Sequence, residues 1–248
     1  DTLMLGFLRP AKDLGAYFAA FQTAALLLIV LQAVNSVFPP LASELHDRED
    51  WTTLGQIYNT LTKWMFSLTL LGTIYIFLFD SIILVIFDIT SRAAAISLVS
   101  LAVGQLIAVS VGPAGFLLSM TGYERLETFN TIVVALINVV LNYILIVSHG
   151  IIGAATATAI SLSLLNIFRV IEIWHLYGLV PISWSHLRPL LGVFIATLAM
   201  TGAQQLVPTT YLFAILVGVL GLTTFVLVVS LMGTDSEDRM LIESLQEL

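Results

Sequence analysis

Apolar residues run through this chain in continuous blocks, each closed by a short polar stretch, with none of the strict alternation that marks a half-buried strand. A helix needs about 20 mainly apolar residues to cross roughly 30 Å of hydrocarbon. In that medium every backbone polar group must be paired internally, which leaves helices or closed barrels, and continuous runs select helices. The pattern predicts spans at Gly15–Val37, Thr62–Ile86, Ala93–Met120, Phe129–Val147, Ile151–Trp174, Pro189–Leu206 and Tyr211–Met232. Pro39-Pro40 is expected to stop the first. Only Ser148-His149-Gly150 separates the fourth from the fifth, so these two are expected to form a tight hairpin. The fold class expected is an all-α integral membrane bundle of about seven transmembrane helices, one domain over residues 1–232.

A short tail, 233–248, follows. Thr234-Asp-Ser-Glu237 is a capping-box pattern, and Leu241, Leu245 and Leu248 give one apolar stripe, so the tail is expected to be an amphipathic cytoplasmic helix on the membrane surface. Basic residues set the orientation. Arg48, Lys63, Arg125, Arg169, Arg188 and Arg239 fall on one side, Arg9, Lys12 and Arg92 on the other, which places the first group and the C-terminus in the cytoplasm of a multi-pass cell-membrane protein. The opening Asp1-Thr-Leu-Met-Leu-Gly-Phe-Leu8 reads as the end of a longer apolar run, so a missing N-terminal part is expected.

Composition strengthens the membrane assignment. Hydrophobic residues make up 58% of the chain and charged residues 10%, against about 25% charged in ordinary globular domains. So few charges cannot cover the surface of a 27.0 kDa protein in water, and the mean hydropathy is +1.01. A net charge of −7 argues against nucleic-acid binding, which needs a basic patch. Cysteine is absent and the four histidines (His46, His149, His175, His186) are scattered, so no metal site is expected. No P-loop or dinucleotide fingerprint occurs, no cofactor is implied, and no Ser/His/Asp set or carboxylate pair supports catalysis.

Two stripes of small residues, Gly104/Ala108/Gly112/Gly115 and Gly150/Gly153/Ala154/Ala157/Ser161, are read as close helix packing. Gly112-Pro113 is expected to kink the third span, since Pro113 removes a donor and its ring clashes with the Val109 carbonyl. Transporters use broken helices to present backbone groups to substrates, and kinks also occur in membrane helices of every function. The amides carry more information. Gln22, Gln32 and Asn35 on the first span, Gln105 on the third, Asn138 and Asn142 on the fourth and Asn166 on the fifth are costly in hydrocarbon unless they find partners or face a wet cavity. Spread over several helices, they point to a polar interior, and Gln22, Gln32, Asn35, Gln105, Asn138 and Asn142 are taken as a transport path. Asp80 is the deepest carboxylate, either a solvated helix end or an ion-coupling group. Lys63, Arg169 and Glu172 are read as reaching interfacial water, and Glu124, Arg125 and Glu127 as a solvated loop.

Several stretches in order resemble the polysaccharide-biosynthesis flippases of the multidrug/oligosaccharidyl-lipid/polysaccharide exporter superfamily. They are Leu14-Gly-Ala-Tyr-Phe-Ala-Ala20, Val37-Phe-Pro-Pro-Leu-Ala-Ser43, Gly112-Pro-Ala-Gly-Phe-Leu-Leu-Ser-Met-Thr-Gly122, Ile137-Asn-Val-Val-Leu-Asn142 and Gly150-Ile-Ile-Gly-Ala-Ala-Thr-Ala-Thr-Ala-Ile-Ser161. The resemblance implies a fourteen-helix protein of two lobes working by alternating access. This chain would supply the end of helix seven and helices eight to fourteen, and the N-terminal lobe of the same protein would be its partner. The substrate implied is an isoprenoid-linked oligosaccharide moved across the cytoplasmic membrane for surface polysaccharide or glycoprotein synthesis. No Arg or Lys is expected deep in these spans, so the groups that meet its phosphate would lie in the missing lobe. The alternative within the superfamily is a cation-coupled multidrug or small-molecule antiporter, with Asp80 as its carboxylate. A membrane enzyme such as a glycan polymerase would need a long outer loop, which the spacing does not leave, and a non-transporting scaffold is the remaining class.

Overall fold

The computed structural model describes residues 1–181, 184–206, 210–233 and 238. Its elements are helical throughout: α1 Thr2–Leu8, α2 Ala11–Ala25, α3 Ile29–Asp47, α4 Trp51–Val85, α5 Arg92–Val109, α6 Ala114–Met120, α7 Glu124–Tyr177, α8 Leu187–Leu206 and α9 Tyr211–Met232. No strand occurs among the described residues. A single 3-10 turn, Leu26–Leu28, joins α2 to α3 in one rod. Among the described residues, six helices are long and apolar enough to cross a membrane, the longest being Glu124–Tyr177. The chain is an all-α polytopic membrane bundle.

That longest helix is two limbs. Gly150 has φ +60° and ψ −133°, a backbone setting open to glycine, and the chain reverses there. At Gly153 a Cβ would stand 1.9 Å from the Leu145 carbonyl oxygen, so the limbs approach within a distance that no side chain permits. Arg9 closes this end. Its Nη2 donates to the carbonyls of Ile146 (2.7 Å) and Val147 (3.2 Å) in the last turn before the reversal.

The second limb packs on α5 through small residues. A Cβ on Gly104 would lie 2.8 Å from Ala159 Cα, and Ala154, Ala155 and Ala157 are fully buried. Close backbone approach of this kind lets dispersion hold helices together where lipid removes any hydrophobic drive. The bulky residues instead face outward: Ile132, Leu136, Val140 and Ile144 on the first limb, and Leu212, Ile215 and Val219 on α9, are all exposed. Such a surface is tolerable only against lipid. α4 is the spine, packing on α3 and α5 on one side and on the α8–α9 pair on the other.

Two expected boundaries are corrected. Pro39 and Pro40 do not end the first span: both lie inside α3, which runs on to Asp47. Phe38, Leu41, Ala42 and Leu45 are buried with Leu54, Ile57, Tyr58 and residues of α6, and this packing outweighs the two hydrogen bonds the prolines forfeit. The second span begins at Trp51 rather than Thr62, because Asp50 caps it. The Asp50 carboxylate accepts from the Thr53 N–H (3.1 Å) and the Thr53 hydroxyl (2.7 Å). These bonds hold its pKa below the ordinary value, so the cap is fully formed above the usual carboxylate range and is lost as pH falls through that lowered pKa. The capping-box residues Thr234–Glu237 and the stripe Leu241, Leu245 and Leu248 lie outside the described residues.

Gly104→Val tests the small-residue seam. Forcing α5 away from the second limb of α7 should cost about 1–3 kcal/mol, read as a lower unfolding temperature in detergent, while Gly104→Ala should cost less.

Candidate functional site

α5 ends at Val109 and α6 restarts at Ala114, with Gly112 between them at φ +68°. Glycine is required twice over at that position. The backbone is left-handed, and a Cβ would meet the Thr62 hydroxyl at 2.0 Å. Tyr58 fastens the break by donating its hydroxyl to the Val111 carbonyl at 2.5 Å. The displaced turn opens a cleft of about 430 Å³ between α3, α5, α6 and both limbs of α7, whose polar lining includes Asn35, Gln105, Ser119, Glu127, Asn166 and Arg169.

The polar groups of this cleft fall into two kinds. Asn35 Oδ1 is buried without a hydrogen-bond partner among the described residues. Gln105 is 5% exposed and makes no side-chain hydrogen bond among them. A buried amide left so costs about 1–3 kcal/mol unless water or a ligand meets it. Arg169, by contrast, is engaged. Its Nε donates to Glu127 Oε2 at 3.0 Å, its Nη2 to Glu127 Oε1, and its Nη1 to Asn166 Oδ1 at 3.4 Å. This is a two-pronged guanidinium–carboxylate pair. It joins the open ends of the α7 hairpin, and a Cβ on Gly115 would stand 2.9 Å from Arg169 Nη2, so glycine makes room for it.

Two expectations about charge are thereby corrected, for Glu127 and Lys63. Glu127 is not a solvated loop carboxylate: it is part of α7 and its side chain is 14% exposed, against 21% for Arg169. Arg169 lines the cleft, at the open end of the α7 hairpin. Lys63 does not reach interfacial water either, since it is 1% exposed, with Nζ 2.7 Å from Asp238 Oδ1. The Trp64 indole donates to the same oxygen at 2.8 Å. Glu127 and Arg169 lie 42 positions apart and meet only because Gly150 folds the helix back. The small-residue hairpin was the sequence signal that could have paired them.

Of the six amides taken as a path, the structure brings two, Asn35 and Gln105, into this cleft. Asn138 and Asn142 lie in the hairpin seam instead. Asn138 Nδ2 donates to Ser161 Oγ at 3.0 Å, and Asn142 Nδ2 to the Asn138 side-chain and backbone oxygens at 2.9 and 3.0 Å. Another rung of the seam is Asn130 Nδ2 to both Glu172 oxygens, 2.7 and 2.8 Å. Gln22 lines a separate depression with Lys12 and Phe87, and Gln32 is exposed on α3. Asp80 accepts from the neighbouring Ser81 alone among the described residues, beside the non-helical Phe79. A carboxylate set between helices is Asp1, whose Oδ2 accepts from the Tyr17 hydroxyl at 2.5 Å and the Thr158 hydroxyl at 3.0 Å.

A broken helix beside an amide-lined cleft, in an all-helical membrane bundle with a glycine-turned hairpin, is the frame in which the family likeness stands. The MatE family model matches residues 1–144, and the chain belongs to the MatE family. Two curated relatives come from the archaeon Haloferax volcanii. One, described as a probable low-salt glycan biosynthesis flippase, Agl15, is 32% identical over 164 residues, which is 65% of this chain and 34% of the relative. The other, described as probable flippase AglR, is 30% identical over 179 residues, 68% of this chain and 36% of the relative. The chain thus spans about a third of the length of each. No solved structure matches.

Asn138→Ala should cost about 1 kcal/mol by removing two side-chain hydrogen bonds of the seam, those to Ser161 and Asn142, seen as a lower unfolding temperature; the Asn142 amide keeps the Asn138 backbone oxygen and Ser161 keeps the Ala157 carbonyl. Asn138→Ala combined with Asn142→Leu and Ser161→Ala should recover part of the loss, because the Asn142 oxygen that is buried without a partner among the described residues is removed as well.

Proposed function

We propose that this chain is the C-terminal lobe of a flippase that carries an isoprenoid-linked oligosaccharide across the cytoplasmic membrane by alternating access, its C-terminus in the cytoplasm. The observation that carries the reading is the cleft beside the break in α5–α6, where the amides of Asn35 and Gln105 have no side-chain hydrogen bond among the described residues. A sugar offers hydroxyls that donate and accept, so amides meet it without specifying one glycan. Membership of the MatE family and the flippase descriptions of the Haloferax volcanii relatives support transport over catalysis. The wall described here is one side of a path, and the N-terminal lobe would supply the other.

The test is complementation. The full-length protein carrying this chain is expressed in a host that lacks its own flippase for lipid-linked oligosaccharide, and surface glycan is measured. Asn35→Leu with Gln105→Leu should leave the protein as stable as before or more so, since two unpaired amides are removed. Glycan should fall by about tenfold, the loss of one to two substrate hydrogen bonds. Unchanged glycan in that double variant would sink the reading.

The cation-coupled antiporter is the second reading, and the Asp1 carboxylate between two hydroxyls favours it more than Asp80 does. Here Asp1→Asn should abolish proton- or sodium-driven efflux of a fluorescent dye from vesicles, with Asp80→Asn near neutral.

A further inference from the structure

We infer that Arg169 is a binding site for a phosphate-bearing headgroup, and that Glu127 occupies it as an internal stand-in which the ligand displaces. The inference rests on the proposed function and goes further, because it assigns to this lobe the cation that meets an isoprenyl diphosphate.

The argument begins with where the charges are. Of the other described cations, Lys63 is sealed against Asp238, Arg9 is spent on helix carbonyls, and Arg48 pairs with Glu44 at the surface. Lys12 lines a separate depression with Gln22 and Phe87; Arg169 differs in sharing its cleft with Asn35, Gln105, Ser119 and Asn166 while remaining partly accessible. Around it stand groups that suit an anion. Gln105, nine-tenths buried and unpartnered among the described residues, has two amide hydrogens to donate. Ser119 lines the same cleft, its hydroxyl donating to the Gly115 carbonyl at 2.8 Å, and the lack of a side chain at Gly115 makes room for the guanidinium.

A carboxylate and a phosphate present paired oxygens to the guanidinium fork in the same geometry, so Glu127 sits where phosphate oxygens would. Leaving costs Glu127 little. It lies in the first turn of α7, where exposed N–H groups favour a negative charge, and the Thr131 hydroxyl already donates to Oε1 at 3.3 Å. A diphosphate carries more charge than the carboxylate and wins the exchange in a cleft of low dielectric. Once the headgroup departs, Glu127 returns, so the site never holds an unpaired buried cation. The exchange also unfastens the open end of the α7 hairpin from its ion pair only while ligand is bound.

The test uses the full-length protein carrying this chain, purified in detergent and titrated calorimetrically with geranyl diphosphate, inorganic pyrophosphate and geraniol. Arg169→Gln should weaken geranyl diphosphate binding by about tenfold or more, and Arg169→Lys by less, since lysine keeps the charge without the fork. Glu127→Gln should tighten it several-fold by removing the competitor. Geraniol should be indifferent to all three. A merely structural pair predicts the opposite pattern, with Glu127→Gln weakening binding as Arg169→Gln does, and that result overturns the inference. So does Arg169→Gln binding within twofold of the parent, or pyrophosphate binding far more tightly than geranyl diphosphate, which would mark a free-anion site. Glycan lost in the Asn35/Gln105 variant while Arg169→Gln binds normally rejects this inference alone. Arg169-dependent diphosphate binding without glycan transport rejects the proposed function alone.

Discussion

Hydrocarbon offers no hydrogen bonds, and every feature of this bundle answers to that constraint. A backbone group or amide that loses its partner in lipid has no water to turn to. Helices satisfy the constraint along their length, so the points of interest are the places where they stop. At Gly150 the chain reverses and Arg9 donates to the Ile146 and Val147 carbonyls of the turn before it. At Gly112 it breaks and Tyr58 takes up the Val111 carbonyl. Both repairs come from side chains distant in sequence, and both depend on glycine at the turning residue.

The two interruptions together make the cleft. The break between α5 and α6 withdraws a helical turn from the bundle, while the hairpin returns the end of α7 to the level of its start. Glu127, Asn166 and Arg169 then face the withdrawn turn. Hairpin and cleft are mechanically one unit, because the Glu127–Arg169 pair ties the open end of the first while lining the second. The amides divide along the same line. Asn138 and Asn142 spend their amide hydrogens within the seam and hold the limbs in register, although Asn142 Oδ1 is left without a partner among the described residues, whereas Asn35 and Gln105 face the cleft with bonding capacity left over. A polar residue in lipid is therefore informative by what it lacks. Paired, it is structure; unpaired beside a cavity, it is a place for something to bind.

Much of this architecture was legible in the order of residues. Run length and the scarcity of charge required a lipid-solvated helical bundle, since no soluble surface could be made from this composition. The three-residue gap at Ser148-His149-Gly150 required a hairpin, because glycine alone reverses a chain so tightly, and the small-residue stripes located the closest contacts. These properties are local or additive, and local chemistry decides them.

What tertiary structure alone decided is which polar groups meet. Pro39-Pro40 reads as a stop until Phe38 and Leu41 find their packing, and then the helix runs through. Glu127 and Arg169 read as solvated charges until the hairpin brings residues 42 positions apart into contact. Lys63 reads as interfacial until Asp238 reaches it. In each case the deciding energy is a pairwise term between segments remote in sequence, and no window along the chain contains both partners.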